Sequence, residues 1–152
     1  ETRIPGWKDM EKLVSERGLG LVRIYGRMEM DMADLAPEEQ EEFMKDLGVV
    51  ESGRNRLIAR AYGLLGLISF FTTGSDEVKA WTLRKGDTAL AAAGTIHSDL
   101  ARGFIRAQVV SYEDFCAHGE SLPRCREAGV LRLEGRDYLV ADGDMIEIRF
   151  NV

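Results

Sequence analysis

The chain has 152 residues, 45% hydrophobic and 30% charged, with 20 basic and 26 acidic side chains and a formal net charge of −6. A chain of this size and composition can bury a core, but residues 1–71 and 72–152 each carry 10 basic and 13 acidic side chains, so any nucleic-acid surface must be a local patch. There is no apolar run of 18 residues, the opening ETRIPGWKDM lacks the layout of a signal peptide, and two cysteines are too few for a disulfide framework; a soluble, cytoplasmic chain with free thiols is expected.

In chain order, Trp7, Met10, Leu13 and Val14 stand at helical spacing, and Gly18 supplies a stop. LGLVRIYG reads next as a buried strand, completing a short helix-to-strand piece. DLAPEEQEEFMKDLG then predicts a helix, with Pro37 in its first turn, Glu38 and Glu39 matching the dipole, and Gly48 at its end. Ser52 caps a second helix whose apolar positions Leu57, Ala61, Leu64, Leu65 and Ile68 form one stripe. With no Met at position 1, a fragment of a longer protein or a trimmed chain is expected.

Residues 85–110 organise the second half. Asp87 and Thr88 are capping types before Ala91, Ala92, Ala93 and Gly94, whose small side chains would let a helix lie close to a sheet. On that reading Gly94→Val would overpack the helix against the sheet and cost about 1–3 kcal/mol. EVKAWTLRKG before this helix and GFIRAQVV after it alternate at the strand period of two. A loop is expected over 118–123, a short helix near Arg124 to Ala128, and then three strands in VLRLEGRDYLVADGDMIEIRF, broken at EGRD and ADGD.

The runs G-x-T-A at 86–89, A-A-G-x-I-H-S-D at 92–99, G-F-I-R-A at 103–107, SYEDF at 111–115, EAG at 127–129, EGRDY at 134–138, and DGD and RFNV near the end resemble the TGS domain that closes proteins of the YchF / Obg-like ATPase family. DLGVVESGRNRLIARAYGLLGLISFFT is also similar to the segment preceding that domain. The resemblance implies an α+β architecture: a β-grasp, ubiquitin-like domain over 72–152, a helical pair over 35–71, and a remnant of the end of an α/β G domain over 1–34. It further implies ATP or GTP with Mg held by a G domain elsewhere in such proteins, and partners among ribosomes, ribosome-associated factors or RNA. The positions of MEMDMADL, which would help line a base pocket, differ from the family, as does the stretch 117–126.

The dipeptide Gly-Lys is absent, so a phosphate-cradling P-loop is missing and this chain is not expected to hydrolyse nucleotide or hold a cofactor. Gly18 to Gly20 form only part of a dinucleotide fingerprint, after a helix rather than a strand. His97, Cys116, His118 and Cys125 are separated by 19, 2 and 7 positions, which is not zinc-site spacing, and no metal is expected. His97, Ser98 and Asp99 suit a helix end better than catalysis, since neighbours in sequence rarely form an oriented base and nucleophile.

What remains is a basic group, Lys79, Arg84, Lys85, Arg102 and Arg106, of which several could converge on one sheet face near Trp81 and Phe104 to meet phosphate and stack a base. The function expected is a non-catalytic docking module for a ribosome, RNA or ribosome-associated factor. A β-grasp adaptor that binds a protein through the apolar helical stripe is the alternative. A sulfur-carrier or modifier role would need a C-terminal Gly-Gly, whereas the chain ends RFNV.

Overall fold

The computed structural model describes residues 6–73 and 77–151, which divide into two compact units, one ending at Leu65 and the other beginning at Gly66. The boundary expected between 71 and 72 falls inside a strand. Val152, the last letter of RFNV, lies outside the described residues.

The first unit is helical. Helix α1 (Trp7–Glu16) ends at Gly18, whose φ of 63° is a conformation that glycine adopts without strain. Residues 19–25, expected as a strand, pair with no neighbour and take no regular structure, since a strand needs a ladder to satisfy its backbone. Helix α2 (Gly26–Ala33), with Met at 28, 30 and 32, follows instead. Helix α3 (Pro37–Asp46) has Pro37 in its first turn, and Glu39 Oε2 accepts from the Ala36 amide at 2.9 Å. Helix α4 (Gly53–Leu64) is capped by Ser52, whose Oγ accepts from Asn55 N at 3.2 Å. Glu29 on α2 accepts from the Gly53 amide at 2.6 Å, tying α2 to the start of α4. Among the described residues of this unit Met32 is the one buried apolar side chain, while Leu13, Leu57, Ile58, Leu64 and Leu65 are exposed.

The second unit is a five-stranded sheet in the order β2-β1-β5-β3-β4. Strand β1 (Leu67–Thr73) pairs antiparallel with β2 (Val78–Arg84) and parallel with β5 (Asp144–Phe150), while β3 (Phe104–Ser111) lies antiparallel to both β5 and β4 (Arg132–Glu134). Ile68, expected at the end of the helical stripe, is instead buried in β1. LISFFTT is a short run of β-branched and aromatic residues, and Gly66, at φ 63°, separates it from the helix. Of the three strands expected at the end, the middle one is only a bridge between Thr88 and Leu139.

Helix α5 (Ala89–Ile96) lies on one face of the sheet, with Ala89, Ala92 and Ala93 packed among Phe70, Val109 and Ile146. Thr88 caps it as expected, its Oγ1 accepting from Ala91 N. Helices α6 (Ser98–Arg102), α7 (Tyr112–Ala117) and α8 (Leu122–Glu127) complete the unit. Residues of α7 and α8 cover one end of the opposite face, where Phe115 and Cys125 bury Val110 and Met145. The expected loop over 118–123 thus yields at Leu122 to α8.

Gly94 does not face the sheet. It is exposed, and an added Cβ would meet only Ala101 Cβ at 3.7 Å, an ordinary contact. The overpacking expected for valine therefore does not arise from the sheet. Gly94→Ala is expected to stabilise the chain by about 0.5–1 kcal/mol, because it removes glycine's unfolded-state freedom from a helical position. A raised thermal midpoint checks this; a lowered one would mean that the contact with Ala101 is too tight.

Candidate nucleic-acid interface

The seven candidate residues lie at separate places in the domain. Lys79 and Trp81 share a face of the edge strand β2, the ammonium 4.4 Å from the indole centroid, and Trp81 Nε1 donates to Thr72 Oγ1 at 3.0 Å. Arg84 ends the same strand and Lys85 stands in the following turn, its amide donating to Gly66 O at 2.8 Å. Arg102 is ion-paired to Asp99 at 2.8 Å on α6. Phe104 is 3% exposed and belongs to the core under α5, so it cannot stack a base. Between β2 and β3 stand β1 and β5, a separation of about 14 Å at the usual strand spacing.

Arg106 lies on the other face. A bulge between Phe104 and Arg106 sets two residues of β3 against one of β5, so residues that alternation would put on one side point to opposite sides. Ala107, Val109, Ile146 and Ile148 pack toward α5, leaving Arg106, Gln108, Glu147 and Arg149 on the reverse face. Gln108 is only 7% exposed. Its Oε1 accepts from Arg126 Nη2 at 3.2 Å and from Arg149 Nη2 at 3.4 Å. Glu147 Oε2 lies 3.7 Å from Arg149 Nη2. Gln108, Arg126 and Arg149 were not among the expected site residues. Alternation on GFIRAQVV and MIEIRF could have flagged Gln108 and Arg149, but Arg126 comes from a helix whose position no local pattern reveals.

A second polar cluster is structural. Asp144, 3% exposed, accepts through Oδ2 from Tyr138 OH and from Ala141 N, both at 2.8 Å, and Arg132 Nη2 donates to Tyr138 OH at 3.0 Å. Burial, then the bond to the Asp144 carboxylate, push the Tyr138 phenol above its ordinary value of 10.0. The folded chain therefore keeps a proton that the unfolded chain loses near pH 10, and the stability this confers is lost as pH rises through the folded value. Stability is expected to decline above about pH 10, less steeply in Tyr138→Phe; Tyr112 and Cys125, also raised, leave a residual slope. Denaturation midpoints from pH 8 to 11.5 check this, and parallel profiles for the two proteins would contradict it.

No catalytic grouping emerges among the described residues. His97 Nδ1 accepts from the Asp99 amide at 3.2 Å, so the imidazole caps the start of α6 instead of the end of α5 alone. His118 Nδ1 donates to the Asp114 carbonyl at 2.7 Å. Cys116 is exposed, whereas burial raises the Cys125 thiol and makes it unreactive. No cluster of three or more His, Cys, Asp or Glu among the described residues could hold a metal, and no described helix is long and apolar enough to cross a membrane. The first unit contains a cavity of about 480 Å³ between α1 and α4, where Trp7 Nε1 and Arg56 Nε are buried without a hydrogen-bond partner. Arg23 stacks on the Trp7 ring at 4.0 Å there, and Arg56 Nη2 donates to Arg23 O.

A mixed sheet whose parallel β1 and β5 lie at its centre, with a hairpin on one flank and a single helix across one face, defines an α+β chain ending in a β-grasp domain. Residues 67–151 match the family model YchF-GTPase_C, described as a protein of unknown function (DUF933), and the chain belongs to the YchF family as its C-terminal part. It is 48% identical over 132 residues to the "Ribosome-binding ATPase YchF" of Bacillus subtilis, covering 87% of this chain and 36% of that protein. It is 45% identical over 149 residues to the protein of the same name from Escherichia coli O157:H7, covering 97% and 40%. The chain thus spans about two fifths of the length of these curated relatives. Among solved structures, the YchF GTPase of Schizosaccharomyces pombe superimposes with a TM-score of 0.79 at 30% identity, covering 97% of this chain and 39% of that one.

Proposed function

We propose that this chain is the docking part of a ribosome-binding nucleotide hydrolase, its β-grasp domain meeting the ribosome while ATP or GTP hydrolysis belongs to a G domain outside it. The observation that carries this reading is the name borne by relatives at 45–48% identity, "Ribosome-binding ATPase YchF". The chemistry agrees with it: the sequence lacks Gly-Lys, so nucleotide and Mg would be held by residues outside this chain. A ribosome partner implies a cytoplasmic setting.

The first unit supports a second partner in the same assembly. With Met32 its one buried apolar side chain among the described residues, and Leu57, Ile58, Leu64 and Leu65 exposed, it buries too little to stand as a core. The remaining three fifths of the relatives' length, carrying the G domain, is the occupant that the apolar faces suit. This reading takes in the observation behind a free-standing adaptor without needing a separate protein.

Co-sedimentation of the chain with purified ribosomes across a salt series tests the function. Binding that weakens steeply as salt rises is expected for phosphate contacts. No binding at low salt would overturn the docking role.

A further inference from the structure

Arg106 and Arg149 stand directly opposite each other in the antiparallel pair of β3 and β5. Like charges so placed destabilise a sheet; Arg106 alternates regularly with Gln108 on this face, while the bulge at Ile105 leaves Phe104 on the other. A third cation, Arg126, is brought alongside from α8. Among the described residues Arg106 and Arg126 form no ion pair, and the carboxylate nearest Arg149 is Glu147, at 3.7 Å. The group holding Arg126 and Arg149 together is the neutral carboxamide of Gln108, whose buried oxygen accepts from both. Fold stability gives no reason to hold two guanidinium groups on one neutral acceptor with a third cation placed opposite Arg149 in the ladder; an anion that bridges them does.

We propose that this reverse face of the sheet is a phosphate-backbone site for RNA, formed by Arg106, Arg126 and Arg149 and pre-set by Gln108. The proposal deepens the ribosome-docking reading and rests on it. Guanidinium forks match phosphate oxygens with paired hydrogen bonds, and holding two of them at Gln108 reduces the side-chain freedom lost on binding. The alternating positions Arg106, Gln108, Glu147 and Arg149 include no aromatic residue, so this group of side chains binds backbone without stacking or reading bases. Glu147 opposes an incoming phosphate and competes for Arg149. The hairpin edge with Lys79 and Trp81 has no part in this site.

The test uses the full chain with intact ribosomes and protein-free ribosomal RNA as probes, and polyglutamate as a competing polyanion, in filter binding from 50 to 300 mM salt. R106Q/R126Q/R149Q is compared with K8Q/K12Q/R54Q, which removes the same charge from exposed positions of the first unit. The sheet variant is expected to lose at least tenfold in affinity for both probes at 50 mM salt, and its plot of log K against log salt to flatten by about 2, the slope carried by three single-strand phosphate contacts. The control variant is expected to keep both. E147Q is expected to bind RNA several-fold more tightly, a gain that misfolding cannot imitate. Ribosome binding that survives in the sheet variant as well as in the control would overturn this site while leaving the docking reading intact. RNA binding that depends on the three arginines, with no ribosome binding by the parent chain, would keep the site and remove the docking reading. Equal, arginine-dependent binding to polyglutamate would replace the RNA site with one for acidic protein.

Discussion

Asp144→Ala is expected to destabilise the β-grasp domain by about 3–4 kcal/mol, because hydrogen bonds to a buried charged group contribute about 1.5–3 kcal/mol each. Two such bonds, from Tyr138 OH and Ala141 N, end on one carboxylate oxygen of a side chain 3% exposed. Removing the carboxylate also leaves the Ala141 amide without its acceptor and strips Tyr138 of its stronger partner. The ion pair with Arg132 adds little, since at 3.6 Å and with the Arg132 side chain 48% exposed it is screened by water. Asp144→Asn, which keeps the shape and one acceptor, should recover about half of the loss. Urea unfolding followed by Trp81 fluorescence in a Trp7→Phe background measures the difference within this domain. A midpoint for Asp144→Ala within error of the parent would mean that the cluster is solvated and contributes little.

Gly103→Ala is expected to cost about 3 kcal/mol, the upper part of the range for forcing an atom into a packed site. The obstacle is backbone: an added Cβ would collide with the carbonyl of Asn151, whose amide donates to Gly103 O at 2.9 Å. Because β3 starts at Phe104 and β5 ends at Phe150, relief requires parting the two strands where the bulge begins. Gly135→Ala, where nothing stands within 4 Å, is the matching control and should leave stability nearly unchanged. Equal midpoints for the two variants would show that the end of β5 yields freely.

The β-grasp was legible in the sequence where its elements follow local rules. Thr88 before a run of alanines, alternation in EVKAWTLRKG, and Gly-Asp turns between short apolar runs all mark elements that the structure contains. LISFFTT was harder to read, because a short apolar run joined to a helical stripe has the same letters whether it pairs as a strand or extends the helix. The candidate site failed at one point of alternation: the bulge parts Phe104 from Arg106, and no residue type announces it. Strand order then separates the β2 cations from those on β3. The gathering of Arg126 and Arg149 at Gln108 depends on tertiary contacts across 18 and 41 positions, beyond the reach of any local pattern.

The most direct test of the docking account is electron microscopy of this chain bound to the ribosome. The account predicts that the sheet face opposite α5 lies against ribosomal RNA, with Arg106, Arg126 and Arg149 at phosphate oxygens and the α5 face turned away. A complex in which α5 or the β2 edge meets the ribosome while Gln108 and its arginines face solvent would contradict it.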